Sequence, residues 1–205
     1  MTAQRVTFPS AGLKLAGALQ LPRGRKPRER RPAFLVLHGF GSTKDSGGTT
    51  AVAKLLTGLG YVTLRFDMRG CGESEGTRGR VICLEQVEDT KSALSFLVGR
   101  AEVDPDRIGV IGQSFGAAVA VYTAGVDRRV AACISSGGWG DGAKKFRRQH
   151  AATGAWEKFT AMMEEGKRHR ERSGRSLMVP RYDIVPIPPA LRGNLAQGSI
   201  RFPRC

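Results

Sequence analysis

What the chain lacks narrows its class before any motif is read. It has 4 cysteines in 205 residues, and Cys71, Cys83, Cys133 and Cys205 are too scattered for a disulfide framework. None of them shows the short paired spacing that zinc sites use, so no metal and no other cofactor is expected, and a reducing, cytoplasmic setting fits best. Met1 to Gly12 contain no cationic start followed by an apolar run, and nowhere is the chain apolar for the length a membrane-spanning helix needs. Secretion and membrane association are therefore not expected. Acidic residues are scarce, 18 against 33 Lys plus Arg, which leaves a net charge of +15 and raises the question of a nucleic-acid partner.

The placement of the charge argues against that partner. Arg23, Arg25, Lys26, Arg28, Arg30 and Arg31 are interleaved with Pro22, Pro27 and Pro32, the composition of a solvated connecting loop. A second basic stretch, Lys144 to Arg175, contains Glu157, Glu164, Glu165 and Glu171, as on the wet face of helices. No nucleic-acid reading motif accompanies either stretch, and no nucleic-acid partner is expected. At 40% hydrophobic and 25% charged residues the composition is that of a globular domain. Nothing in the pattern specifies an oligomeric state.

Arg5 to Pro9 and Leu13 to Leu21, with Gly12 between them, read as an opening hairpin. Phe34 to Leu37, Tyr61 to Phe66, Ile108 to Ile111 and Val130 to Ile134 are short apolar runs, the form of parallel strands buried on both faces. Helical stretches alternate with them. Val52, Leu55, Leu56 and Leu59 form one apolar stripe after a cap at Asp45 or Ser46, and Leu84, Val87, Leu94 and Leu97 form another. A third helix is expected to start after Ser114 and stop near Gly125. Strict alternation implies an α/β fold, a mostly parallel, doubly wound sheet with helices on both sides and its chemistry at the carboxyl ends of the strands. After Ser136 the alternation gives way to Trp139, Phe146, Trp156, Phe159, Met162 and Met163 in a basic helical region, then to a proline-rich stretch from Val179 to Ala190. Residues 1–138 are read as the core and 139–205 as an inserted helical lid with a shortened end.

The segment Gly112-Gln113-Ser114-Phe115-Gly116 places Gly-x-Ser-x-Gly between an expected strand and an expected helix. A serine projected from so tight a turn needs neighbours without a Cβ, hence Gly112 and Gly116. With 27 glycines in the chain the bare motif is weak, and its strand-to-helix placement makes Ser114 the candidate nucleophile rather than a structural serine. Negative charge developing on a substrate oxygen needs donors, and two backbone N–H groups are expected to supply them. One is that of Phe115, at the positive end of its helix; the other is that of Phe40 in His38-Gly39-Phe40-Gly41. His38 is read as a brace for this loop rather than the base, and His150 and His169 as exposed lid histidines. Asp141 is a solvent-facing loop carboxylate by preference, with a role as catalytic acid the less favoured alternative. Asp67, in Asp67-Met68-Arg69-Gly70-Cys71-Gly72-Glu73-Ser74, is expected to accept backbone hydrogen bonds in a sharp turn, and Cys71 to be an inert free thiol.

These three segments, in this order, resemble the α/β-hydrolase superfamily, in particular its dienelactone-hydrolase, serine-aminopeptidase and Xaa-Pro dipeptidyl-peptidase-like branches. The likeness spans roughly residues 5–138. It implies hydrolysis of carboxylic esters, thioesters or amides of small molecules or short peptides through an acyl-serine. The family also places an acid after the next strand, often as His-Gly-x-x-Asp, and a histidine after the last strand; neither pattern is present. The expectation is an incomplete hydrolase whose last strands are missing. Loss of the histidine in a serine hydrolase costs on the order of 10⁶ in kcat, so this chain alone is expected to be close to inert. It is also expected to be poorly soluble or molten, since Val130 to Ile134 would form an exposed sheet edge. Two rival readings are a non-catalytic hydrolase remnant and a basic interaction module.

Overall fold

The computed structural model describes residues 3–152 and 154–186, which fall in two compact units, Met1–Trp139 and Gly140–Cys205. In the first unit six strands form one mixed sheet: β1 (Gln4–Ser10), β2 (Leu13–Gln20), β3 (Arg31–Leu37), β4 (Val62–Phe66), β5 (Val103–Gln113) and β6 (Val130–Ser136). Their order is β1-β2-β4-β3-β5-β6, with antiparallel pairing of β1 to β2 and of β2 to β4, and parallel pairing elsewhere. The opening hairpin turns through Ala11 and Gly12, both at positive φ (46° and 80°), the backbone a two-residue turn between twisted strands requires. Every residue of β4 and the last five of β3 are buried, as the apolar runs predict for strands covered on both faces. β5 begins earlier than the apolar run suggests, because Val103 already pairs with Arg31 ahead of a register shift.

Helices α1 (Gly47–Gly58), α2 (Cys83–Val98) and α3 (Phe115–Val126) join the parallel strands. The main core is closed by Leu15, Leu35, Leu64, Phe66, Leu94 and Ile108, all at most 1% exposed. The stripe expected on α1 is half wrong: Leu55 and Leu59 are 64% and 67% exposed. The buried face is Thr49, Ala53, Leu56 and Thr57. Small residues there let α1 approach the sheet beside Phe34 and Val36, and the Thr57 hydroxyl is satisfied by the Ala53 carbonyl at 2.7 Å and the Thr63 hydroxyl of β4 at 2.9 Å. On α2, Val87, Leu94 and Leu97 are buried as expected, while Leu84 in the first turn is exposed. α3 runs through Gly125 to Val126, so that glycine is a helical residue and not the expected left-handed stop.

Among the described residues no strand lies beyond β6, and β6 is an edge whose residues from Ala131 to Ser136 are exposed. Beside it, α3 exposes Val121, Tyr122 and Val126.

The second unit contains α4 (Gly142–Gln149), α5 (Ala155–Ser173) and the short α6 (Arg181–Ile184). Asp141 is the N-cap of α4, accepting from the Lys144 N–H at 2.9 Å. The expectation of an exposed His150 is overturned: the residue is 5% exposed, its ring stacked 4.2 Å from that of Phe159, with Nδ1 donating to the Phe146 carbonyl at 2.9 Å. Phe146, His150 and Phe159 pack as one cluster because α4 and α5 have few other apolar residues to bury. From residue 187 onward the proline-rich stretch lies outside the described residues.

Candidate active site

Ser114 stands where β5 ends and α3 begins, with φ 54° and ψ −119°. Only three described residues other than glycine have positive φ, and the other two, Ala11 and Arg28, lie in loops. A side chain held there costs of order 1–3 kcal/mol, which the surrounding packing must enforce. The enforcement is visible. A Cβ on Gly112 would collide with the Gly116 carbonyl, and one on Gly116 would collide with the His38 carbonyl and lie 2.9 Å from that of Leu37. The turn is tied to the sheet by the Ser114 N–H, which donates to the Ser136 carbonyl at 2.8 Å. Ser114 is exposed, and no side chain among the described residues is hydrogen-bonded to its Oγ.

The loop after β3 passes alongside. A Cβ built on Gly39 would be 3.4 Å from Ser114 Cβ and 4.0 Å from Oγ, so the backbone leading into Phe40 runs next to Ser114. The rings of Phe40 and Phe115 meet edge to face at 5.8 Å, and Phe115 meets Trp139 at 5.9 Å. Trp139, expected in the lid, thus belongs to the first unit. The Gln113 side chain extends over Gly48 near the start of α1, with Oε1 2.7 Å from where a Cβ there would be.

His38 is 1% exposed and both ring nitrogens are engaged. Nδ1 donates to the Gly39 carbonyl at 2.9 Å, and Nε2 accepts the Met68 N–H at 3.2 Å. That arrangement fixes a neutral ring, and burial lowers its pKa against the opposing effects of the Gly39 hydrogen bond and Asp67. Fully used in this way, His38 braces the loop and has no nitrogen left for Ser114.

Asp67 is completely buried and accepts from the Lys44 N–H (2.6 Å) and the Glu73 N–H (2.9 Å), as the sequence led one to expect of a turn carboxylate. The sequence did not disclose its cation. Lys44, 4% exposed, places Nζ 3.1 Å from Asp67, 2.6 Å from Glu73 and 2.9 Å from Asp45. Burial acts to lower its pKa, and the carboxylates of Glu73, Asp45 and Asp67 outweigh burial and raise it. Asp89, on α2, was missed as well: fully buried, it accepts from the Ser10 hydroxyl at 2.7 Å and from the Arg69 N–H and guanidinium at 2.7–3.1 Å. Cys71 is buried in the same turn, and desolvation pushes its thiol up to about 12, too high for a nucleophilic thiolate.

Among the described residues no group of His, Cys, Asp or Glu is placed to hold a metal ion, and no helix is long and apolar enough to cross a membrane.

A strand-to-helix turn that forces a serine into positive φ beneath a glycine loop defines an α/β-hydrolase, and the comparisons agree. A sequence model of the serine aminopeptidase (S33) family matches residues 28–173, and the chain belongs to that family. It is similar to the quorum-quenching protein AidA of Acinetobacter baumannii, 33% identical over 138 residues, which are 67% of this chain and 44% of that protein. It is also similar to thiohydrolase aneE of Aspergillus aculeatus, 38% identical over 125 residues, or 60% of this chain and 37% of that one. Among solved structures, protein PA2218 of Pseudomonas aeruginosa superposes with a TM-score of 0.74 at 30% identity over 87% of this chain and 56% of its own. The α/β-hydrolase GrgF from Penicillium sp. sh18 superposes with a TM-score of 0.72 at 24% identity over 96% and 65%, a likeness of fold. The chain spans less than half the length of the curated relatives it matches, 44% and 37% for these two.

Proposed function

We propose that the chain carries the nucleophile half of a serine hydrolase that cleaves ester, thioester or amide bonds of small molecules or short peptides through an acyl-serine. The observation that carries this reading is the backbone of Ser114, an exposed serine at φ 54° with the Gly39–Phe40 backbone beside it. Ser114 Oγ attacks the carbonyl, its proton passing to a base. The Phe115 and Phe40 N–H groups receive the charge that moves onto the carbonyl oxygen, an arrangement in which each donor is worth about 3 kcal/mol to the transition state. Gly112 and Gly116 keep the bend, and Gln113 packs it against α1. The carbonyl re-forms, the leaving group departs with a proton, and water releases the acid. Two similar proteins are named for reactions compatible with this one, the thiohydrolase aneE and the acyltransferase drtE of Aspergillus calidoustus. The free thiols of Cys71, Cys83 and Cys133 suit a cytoplasmic setting.

No imidazole is bonded to Ser114 Oγ among the described residues, so residues 1–205 by themselves react slowly in this reading. The same observation favours a second reading, a non-catalytic remnant of a hydrolase. An alkyl fluorophosphonate separates the two. Slow labelling of one site, Ser114 by peptide mass spectrometry, accelerated by tens of millimolar imidazole and absent in Ser114→Ala, supports the hydrolase. Equal labelling of the wild type and Ser114→Ala would sink it, and no labelling at any imidazole concentration would establish the remnant.

A further inference from the structure

The loop that brings Phe40 beside Ser114 is attached to the turn after β4 at two points, one on each side of Phe40. On one side His38 Nε2 accepts the Met68 N–H at 3.2 Å. On the other, Lys44 engages Asp67 twice, through its backbone N–H at 2.6 Å and its ammonium at 3.1 Å, and reaches Glu73 at 2.6 Å. Between these clamps the backbone must turn at Gly41, at φ 59°, with the Ser42 N–H donating to the Gly39 carbonyl at 3.2 Å. A loop held at only the His38 end could pivot about that turn and carry the Phe40 amide with it.

We propose that Lys44 is a positioning residue for the oxyanion donor. Its buried ammonium, gripped by Asp67 and Glu73, fixes the far end of the loop so that the Phe40 N–H stays aimed beside Ser114 Oγ. Several features fit this better than a role in stability alone. A fully buried carboxylate and a nearly buried ammonium are costly to take out of water, and a pair of apolar residues would hold two loops together as well. What the ionic pair adds is direction, since Asp67 accepts from the Lys44 N–H and Nζ together and so sets both the backbone and the side chain of one residue. Carboxylates on three sides keep the ammonium charged. The Glu73 end is itself held from β1 by an ion pair with Arg5, which links the clamp to the sheet. The inference rests on the reading of Ser114 as nucleophile and of the Phe40 N–H as oxyanion donor.

Fluorophosphonate labelling of residues 1–205 in imidazole tests it, by separating the maximal labelling rate from the probe concentration that gives half that rate. Labelling of the wild type at Ser114 is the precondition; its failure would overturn the functional reading and this proposal with it, whereas the variants below overturn this proposal alone. Given labelling, Lys44→Met is expected to lower the maximal rate about tenfold or more, within the loss of one oxyanion donor. The half-saturating concentration should stay unchanged, and Lys44→Arg should restore most of the rate. Lys91→Met, which removes a surface pair with Glu88, should have no effect. A folded Lys44→Met chain that labels at the wild-type maximal rate would overturn the proposal, as would one in which only the half-saturating concentration rises. Should Lys44→Met not fold, Glu73→Gln takes its place. Its carboxylate is 49% exposed, so the fold tolerates the change, and the maximal rate should fall several-fold. An unchanged rate there also overturns the proposal.

Discussion

His38 shows how a histidine close to a candidate nucleophile can be fully engaged by its own surroundings. Its two hydrogen bonds require Nδ1–H and a bare Nε2, so the folded protein holds it neutral, with a pKa lowered by burial. Unfolded, it returns to about 6.5. The unfolded chain therefore binds more protons than the folded one as the pH drops below that value. The stabilisation is complete above about pH 6.5 and is lost as the pH falls toward the folded-state pKa, by up to about 1.4 kcal/mol per pH unit. Melting temperatures between pH 7.5 and pH 5.5 should fall for the wild type and fall less for His38→Asn; parallel slopes would show that another group governs the acid side. Ser114 and its flanking glycines were legible at this scale because a tight turn leaves a local signature. Lys44 and Asp89 were not, because what defines them is a partner 23 residues away in one case and 20 in the other.

Elements were legible where one rule set them and misread where two rules competed. All four parallel strands fall where the runs dominated by apolar residues do; β3 and β4 are buried as such runs predict, whereas β6 carries the same kind of run on an exposed edge. On α1 Leu55 and Leu59 are exposed while Thr49, Ala53 and Thr57 are buried beside Leu56, because close approach to β3 and β4 admits small residues and the threonine hydroxyls find partners within the protein. α3 makes the point within one helix. Gly116 sits where a Cβ would collide with the His38 carbonyl, whereas Gly125 has nothing within 4 Å and ordinary helical backbone. Gly116→Ala should cost roughly 1–3 kcal/mol through overpacking against backbone. Gly125→Ala should instead stabilise by about 0.5–1 kcal/mol by removing a flexible residue from a helix. Chemical denaturation midpoints of the two variants should move in opposite directions; a shift of both the same way would contradict the packing described around Ser114.

For the molecule as a whole, exposed apolar surface and net charge act against each other. Exposed apolar side chains include Leu55 and Leu59 of α1 and Leu84 of α2, but at the β6 edge and the neighbouring face of α3 they lie beside unpaired strand backbone, with Ile134 43% and Val126 55% exposed, while the main core is closed. Beside the expectation of a poorly soluble or molten chain, a specific alternative is folded copies that pair along β6, whose unpaired backbone groups are a template for another strand. Opposing that pairing is a net charge of +15 on every copy. Repulsion between like-charged copies reaches about 30 Å at 0.01 M salt and about 3 Å at 1 M, so salt removes the barrier and leaves the edge. Light scattering should accordingly give a mass near the 22.1 kDa of one chain in about 10 mM salt and a rising mass in about 0.5 M salt. Ile134→Lys puts a charge on the edge itself, the device by which many natural sheets avoid association, and should hold the mass near one chain at both salts. Salt that leaves the wild type monomeric, or association of Ile134→Lys equal to that of the wild type, would show that β6 is not the sticking surface.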